Sequence, residues 1–350
     1  MPVWKYLPSY TVPLSAAVGL WLGGYWTFIT PIYIFFFIPF LEWMVGADPS
    51  NHDSEAEKRA KASKAYTFLL WSYVPILYAL TGFFLFKLAS GWLGASEWIA
   101  LIGATLSVAI SNGGTGITVA HELVHRSSKF EQLLGRALLL ISLYMHFAIE
   151  HVYGHHKHVA TEEDAATARK GENFYRFWIR TVPGQYASAW SIEIKRLQKK
   201  KKGFFSMTNE MLWFHVWQIG LVLTIGFGLG WAVVGVFLAC SVLSFSLLEA
   251  VNYLEHYGLE RHMHDNDRYE KVDHHHSWNS DHLVSRMFLF ELSRHSDHHA
   301  VASREYQVLR SFNDSPQLPT GYPGMILIAL FPPLWFRVMD PLVERVAAEH

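Results

Sequence analysis

The chain has 350 residues, of which 51% are hydrophobic and 15% aromatic. Charged residues make up 17%, well below the roughly one quarter that is usual in soluble domains, so the composition is typical of an integral membrane protein. The formal net charge of −1 gives no basis for binding nucleic acid. The single cysteine, Cys240, excludes an internal disulfide and an iron–sulfur cluster of the chain's own, because several thiolates hold such a cluster.

Six apolar runs are long enough to cross a bilayer as helices of about 20 residues. They come in pairs: residues 7–23 with 25–45, 65–87 with 96–120, and 211–229 with 231–253. Short turns containing Gly23, Gly91 and Gly230 join the members of each pair. The sequence therefore predicts an all-α integral membrane fold, with six transmembrane helices arranged as three hairpins and one domain over residues 1–350.

The long polar segments, 46–64, 121–210 and 254–350, share one face of the membrane in this topology. Lysine and arginine are frequent in the first two segments and rare in the opposite turns, so this face is predicted to be cytoplasmic. A seventh apolar stretch, 133–149, is interpreted as a helix in the cytoplasmic interface. If it crossed the bilayer, it would separate the histidine clusters described next.

Most of the 20 histidines fall in short clusters near the ends of apolar runs. Three clusters and one single residue supply nine imidazoles: His121 and His125; His151, His155 and His156; His295, His298 and His299; and His256. Histidines four residues apart on an α-helix lie on one face, so each cluster is expected to aim its i, i+4 pair at a common point. Polar side chains at membrane depth are costly and usually functional.

Nine imidazoles exceed the ligand set of one ion, so the sequence predicts a site for two or more metal ions in the cytoplasmic cap. Imidazole suits Zn, Cu, Fe or Ni, and the residues alone do not choose among them. The string His121-Glu122-Leu123-Val124-His125 resembles a zinc-protease motif, but such a site would leave six histidines unexplained. A metal transporter would place its site near the bilayer midplane, whereas these clusters lie at helix ends on one face.

Several side chains beside the clusters are candidates to accept the free ring N–H of a ligand imidazole and fix its tautomer. They are Glu122, Glu150, Glu255 and Asp297. The alternative is that these carboxylates are solvated charges. His276, in the run His274-His275-His276, is interpreted either as part of an outer layer around the metals or as lining of the cytoplasmic mouth.

The combined patterns H-x3-H, H-x3-HH and H-x2-HH resemble the membrane fatty-acid desaturase and hydroxylase superfamily. Longer strings narrow the resemblance to the alkane 1-monooxygenases, over about residues 5–345: HELVH at 121–125, NYLEHYG at 252–258, HHSWNS at 275–280, RHSDHH at 294–299 and LPTGYPG at 318–324. The sequence departs from the family pattern at Val124, Arg126 and Ser293, and none of these is a proposed ligand.

The resemblance implies two non-haem iron ions held by the nine histidines, with O2 as co-substrate. It implies hydroxylation of the terminal methyl group of medium- or long-chain n-alkanes to 1-alkanols in the bacterial inner membrane, with the site on the cytoplasmic side. Electrons would come from rubredoxin, supplied by a reductase and NAD(P)H, in keeping with the lone cysteine. Within the superfamily, a desaturase and a hydroxylase of aromatic methyl groups (xylene-type) stay open.

An alkane offers no hydrogen bond, so only shape and apolar burial can orient it. The candidate residues for lining a slot between the helices are Trp21, Trp26, Ile34, Phe35 and Phe37; the alternative is that they face lipid. A basic segment, with Lys195, Arg196 and the lysines at 199–202, is interpreted either as an anchor to anionic lipid or as a docking surface for the donor.

Overall fold

The structure is a computed structural model that describes residues 1–91, 98–265 and 267–349. Within these ranges the secondary structure is helical, and β-pairing is limited to isolated bridges such as Asn279 with Gln317. The helices in chain order are α1 (Thr11–Leu22), α2 (Gly24–Val45), α3 (Ser54–Ala62), α4 (Ala65–Ala89), α5 (Trp98–Val124), α6 (Lys129–Ile141), α7 (Phe147–Glu150), α8 (Phe174–Lys199), α9 (Glu210–Leu229), α10 (Trp231–His256), α11 (Leu283–Phe288), α12 (His295–Ala300), α13 (Tyr322–Ala329) and α14 (Pro332–Glu349).

Some helical segments are not α-helical. Segments of 3-10 helix are Val3–Tyr10, Tyr306–Val308 and the start of α2, Gly24–Phe28. Three π-helical turns, Tyr33–Phe37, Ser111–Gly116 and His151–His155, lie in α2, in α5 and after α7, and the last is followed by the short helix His156–His158. Such turns are frequent at functional sites, and each of these three contributes residues to the site described below.

Among the described residues, five helices are long and apolar enough to cross a membrane: α2, α4, α5, α9 and α10. They coincide with five of the six predicted spans, and the chain is a multi-pass membrane protein. The predicted start of the fourth span at Ser96 lies outside the described residues, and α5 continues past the predicted end at Ala120 to Val124.

The structure differs at the first predicted span, residues 7–23. The chain is 3-10 helix up to Tyr10, and α1 has 12 residues, or about 18 Å at 1.5 Å per residue. A helix of that length falls short of a hydrocarbon core about 30 Å thick, so α1 is not among the five. A sixth span arises instead if α13 and α14, which meet at an angle of 119°, count as one broken helix. Pro332 and Pro333 begin α14, and proline cannot continue a preceding helix.

The apolar stretch at 133–149 also differs from the single predicted helix. Ser128 caps α6, its side chain accepting a hydrogen bond from the backbone N–H of Glu131, and α6 ends at Ile141. A turn with Leu143 at φ 51° separates α6 from α7. Because α6 has 13 residues, it is too short to span a bilayer.

Close packing of α5 against α10 brings the ends of both helices to one place. A Cβ atom added at Gly113 would lie 2.3 Å from the backbone oxygen of Ser244, so only glycine allows this approach. His121 lies near the C-terminal end of α5 and His256 is the last residue of α10. The histidines at the C-terminal ends of α5 and α10 therefore lie close together.

Candidate metal centre

The nine clustered histidines gather into two groups. Within each group, one ring nitrogen per residue lies within 4.8 Å of the others. The first group consists of His121, His125, His151, His156 and His298. The second group consists of His155, His256, His295 and His299. The structure thus brings together all the histidines that the sequence singled out, in two sets that could each hold a metal ion.

The spacing of the nitrogens fits ions shared within each group. His156 Nε2 lies 3.1 Å from His151 Nε2 and 3.0 Å from His298 Nε2. In the second group, His295 Nε2 lies 2.9 Å from His299 Nε2 and 3.2 Å from His256 Nε2. Two nitrogens bound to one ion at about 2.1 Å lie about 3.0–3.4 Å apart in octahedral or tetrahedral geometry. The donor sets therefore match metal coordination.

Several of these nitrogens also need a partner that the protein does not provide. The Nε2 atoms of His121, His125 and His155 are buried and have no hydrogen-bond partner among the described residues. A buried polar atom left unpaired costs free energy. A metal ion bound by each group would satisfy these nitrogens.

The π-helical turn changes which histidines face each other. The expectation that His151 and His155 aim at a common point is wrong, because residues 151–155 form a π-helix, in which residues five apart rather than four share a face. His151 therefore pairs with His156 in the first group, and His155 turns to the second. The i, i+4 expectation is confirmed for His121 with His125 in the first group and for His295 with His299 in the second group.

Burial keeps the imidazoles available to metal. Burial lowers the pKa of His298 and His299 well below the ordinary value, and the neighbouring imidazoles lower it further. The pKa of His125 falls to about 3 for the same two reasons. The rings are thus neutral at physiological pH, which is the form that binds a metal ion.

A mainly apolar cavity opens onto both groups. It lies between α2, α5, α10 and α11, and its lining reaches His121, His151 and His295. The glycine-rich π-turn of α5 contributes Gly113 and Gly114, where the absence of side chains leaves room. Ile110 marks the far end along α5, about 16 Å from His121 at 1.5 Å per residue.

The predicted slot residues divide into two sets. Ile34 and Phe35, in and beside the π-turn of α2, line the cavity. Trp21, Trp26 and Phe37 are exposed, at 75%, 59% and 46%, and do not line this cavity. A contribution of these three residues to the substrate slot stays a prediction.

Comparison with known proteins shows which family the chain belongs to. The family model described as fatty acid desaturase matches residues 96–329. Alkane 1-monooxygenase 2 of Pseudomonas aeruginosa is 44% identical over 357 residues, which cover 97% of this chain and 93% of that protein. Alkane 1-monooxygenase 1 of the same organism is 42% identical, covering 96% and 89%. The chain belongs to the alkane 1-monooxygenase family. The xylene/toluene monooxygenase hydroxylase component of Pseudomonas putida is 27% identical, covering 95% and 87%.

Membership in this family makes the chain an enzyme. As a monooxygenase it uses O2 and receives electrons from a donor, and its histidine groups fit the metal binding expected of the desaturase and hydroxylase fold. Other side chains of the monooxygenase contact the clustered histidines or the segments next to them.

Of the predicted carboxylates, Glu255 contacts one of the nine clustered imidazoles directly. Its Oε2 lies 3.2 Å from His295 Nε2, and its Oε1 accepts a hydrogen bond of 2.7 Å from the hydroxyl of Tyr322. This nitrogen is the one that faces the other imidazoles of the second group, whereas the sequence predicted a contact on the outer nitrogen. All three residues line the cavity, so Glu255 lies where the cavity meets the second group.

The predicted carboxylates Glu122 and Asp297 instead bind neighbouring segments. Glu122 pairs with Arg126 at 2.7 Å and accepts from the backbone N–H of Tyr306. Asp297 accepts two hydrogen bonds of 2.6 Å from Arg304. These ion pairs are largely buried and fix the chain on either side of the ligands.

The predicted residues Glu150 and His276 lie beside the centre. A Cβ at Gly154 would lie 2.7 Å from Glu150 Oε1, so the glycine leaves room for this buried carboxyl, whose pKa is raised by burial. His276 contacts Glu270 and Asp273. The next residue, Ser277, places its hydroxyl 3.4 Å from the Nδ1 atom of His256.

Sequence reasoning missed Asp164. Its Oδ2 lies 2.8 Å from His155 Nδ1 and accepts a hydrogen bond of 2.6 Å from Thr167, while Oδ1 accepts from the backbone N–H of Ala166. Burial raises the pKa of Asp164, but the His155 imidazole and these hydrogen bonds outweigh burial and lower it. Asp164 is therefore placed to accept the ring N–H of His155, a role that the sequence predicted for other carboxylates.

Proposed function

We propose that the monooxygenase hydroxylates the terminal methyl group of medium- or long-chain n-alkanes to 1-alkanols, at two non-haem iron ions bound by the two histidine groups. The observation that carries the proposal is the apolar cavity that ends on both groups. The reaction balances as alkane plus O2, two electrons and two protons, giving alkanol and water.

The five imidazoles of the first group would hold one iron and the four of the second group the other. Iron bound there would supply the activation of O2. The protein orients the ring nitrogens, with Asp164 fixing the tautomer of His155. Glu255, held by Tyr322, is placed to hold a proton where the cavity meets the second group.

Substrate orientation follows from the lining of the cavity. An n-alkane gains about 0.8 kcal/mol for each CH2 that leaves water, and the narrow space beside Gly113 and Gly114 accepts an unbranched chain. With the chain end directed at His121, His151 and His295, the terminal methyl group is the part of the substrate nearest the metals. Shape therefore supports terminal rather than internal hydroxylation.

The location that we propose is the bacterial inner membrane, with the chain as one domain and the metal centre on the cytoplasmic side. Support comes from His121 and His256, because the C-terminal ends of α5 and α10 meet in one centre and so lie on one side. The proposed electron donor is rubredoxin, with a reductase and NAD(P)H upstream. Arg196 is engaged by Glu193, so any basic docking surface consists of Lys195 and the lysines at 199–202, which are exposed.

The test uses membranes containing the monooxygenase, octane or dodecane, ¹⁸O2, rubredoxin, its reductase and NADH, with products identified by gas chromatography and mass spectrometry. Label in the 1-alkanol is the expected result. His151→Ala should abolish the product, whereas His262→Ala, an exposed histidine outside both groups, should not.

Two other outcomes would redirect the assignment. An alkene without label, from protein that contains iron, would indicate a desaturase. Label found in the benzylic alcohol of p-xylene, with none in alkanols, would indicate an aromatic-methyl hydroxylase like the relative from Pseudomonas putida.

A further inference from the structure

A third set of potential metal ligands lies outside the nine-histidine centre, where the loop between α10 and α11 meets the segment between α12 and α13. His274, His275 and Asp314 each offer one atom, and these atoms lie within 4.8 Å of one another. The Nε2 atom of His274 lies 3.1 Å from Asp314 Oδ2, and the Nε2 atom of His275 lies 3.9 Å from it. We propose that these three residues form a separate, peripheral site for one divalent late transition-metal ion.

The two imidazoles are held in place before any ion binds. Their ring centroids lie 4.2 Å apart, and the ring of Phe312 stacks on His274 at 4.6 Å with an angle of 19° between the planes. The backbone N–H of His275 donates a hydrogen bond of 2.9 Å to Asp273. A preorganised pair of ligands loses little side-chain entropy on binding.

The three side chains of this cluster suit one divalent ion. A single divalent ion binds both neutral rings and the carboxylate at once. The site is also reachable, since the His274 and His275 side chains are 25% and 21% exposed and Asp314 is 65% exposed, so water can complete the coordination.

The donor set defines the class of ion. Two nitrogens and one carboxylate oxygen suit Zn²⁺, Ni²⁺ or Cu²⁺, whereas Ca²⁺ and Mg²⁺ prefer oxygen ligands alone. Three protein ligands from one short segment and one neighbouring loop resemble an open site, which an ion enters from solvent, more than a closed structural site.

The site lies on a loop that also contacts the nine-histidine centre. Three residues after His274, the Ser277 hydroxyl lies 3.4 Å from His256 Nδ1, and the backbone N–H of Trp278 donates to the backbone oxygen of Glu255 at 2.8 Å. An ion at the peripheral site would therefore restrain the loop that buttresses the end of α10, and its binding should raise the unfolding temperature.

The experiment titrates Zn²⁺ into purified, iron-loaded protein, prepared with an affinity tag that lacks histidine, by isothermal calorimetry. Wild-type protein should bind one equivalent of Zn²⁺ while its iron content, measured by mass spectrometry, stays constant. The double variant His274→Ala/His275→Ala should lose this equivalent and keep its iron. The matched control, His262→Ala/His264→Ala, removes two exposed imidazoles of the same loop and should bind Zn²⁺ like wild type.

Asp314→Ala provides a second variant, because removal of an exposed carboxylate leaves the fold intact; it should weaken Zn²⁺ binding. The proposal is overturned if wild-type protein takes up Zn²⁺ only as iron is lost. It is equally overturned if the His274→Ala/His275→Ala variant binds the same equivalent as wild type. Neither result depends on alkane turnover, so the peripheral site stands or falls independently of the proposed function.

Discussion

Asp164→Asn is expected to weaken iron binding by about 30-fold, although the substitution preserves shape. With iron on its Nε2, His155 must carry its remaining hydrogen on Nδ1 and donate it to Asp164. Asp164 accepts this hydrogen bond and two others, from Thr167 and from the backbone of Ala166. An asparagine side chain has one oxygen, and therefore cannot accept from both sides of the carboxylate.

The cost falls on the metal-bound state. If the asparagine NH2 faces His155, it meets the Nδ1–H; if the amide is turned around, the NH2 meets the N–H of Ala166. Either way one buried donor is unpaired, which costs about 1–3 kcal/mol, and a cost of about 2 kcal/mol corresponds to roughly 30-fold in affinity. In the metal-free protein the His155 ring can change tautomer and accept from the NH2, so the cost there is avoided.

The assay dialyses purified protein anaerobically against increasing concentrations of an iron chelator and measures retained iron by mass spectrometry. Glu163→Gln is the matched control: it removes a neighbouring carboxylate that is 61% exposed and pairs with His158, outside both groups. Circular dichroism verifies that Asp164→Asn is folded. Retention of iron by folded Asp164→Asn within twofold of the control would refute the role assigned to Asp164.

Gly113→Ala is expected to destabilise the fold by about 1–3 kcal/mol, because the added methyl group would lie 2.3 Å from a backbone oxygen of α10. The control is Gly220→Ala, where the added methyl group has no atom within 4 Å. Thermal unfolding in detergent compares the two variants. Ile110→Ala should favour longer alkanes, by about fourfold in relative kcat/KM for each extra CH2 that the longer cavity buries; an unchanged ratio in competition assays with mixed alkanes would contradict the position of the cavity end. The pKa of Glu57 is lowered to about 2, and a hydrogen bond from Lys61 is the main cause. Because this pKa lies below that of the unfolded chain, the Glu57 carboxylate stabilises the fold at neutral pH. This stabilisation is lost as the pH falls through about 4 towards 2. The difference in Tm between wild type and Glu57→Gln should therefore shrink between neutral pH and pH of about 3, and a difference that grows would contradict the ion pair.

The gathering of the nine histidines could be predicted from the sequence, because imidazoles in short clusters beside apolar helices are recognisable without tertiary structure. Their division into two groups could not be predicted. His151 and His155 have the spacing of an α-helical pair, and only the π-helical turn of the folded chain separates them. The sequence contains no spacing signal for that turn.

The supporting residues show the same limit. Asp164 is the third of three consecutive carboxylates, after Glu162 and Glu163, and only the folded loop shows which of them reaches His155. Phe35 and Phe37 are both apolar residues of one helix, yet one lines the cavity and the other is exposed. Burial against particular neighbours decides such cases, and a single sequence does not contain that information.

The assignment of adjacent histidines to different groups limits how this site can change in evolution. His155 and His156 are neighbours in the chain but serve different groups, and so do His298 and His299. A shift of either backbone segment by one residue would change the membership of both groups at once, so neither group is expected to change alone. Divergence among descendants of this enzyme is accordingly expected to accumulate in the cavity walls, where one substitution alters which substrate fits and leaves the metals in place.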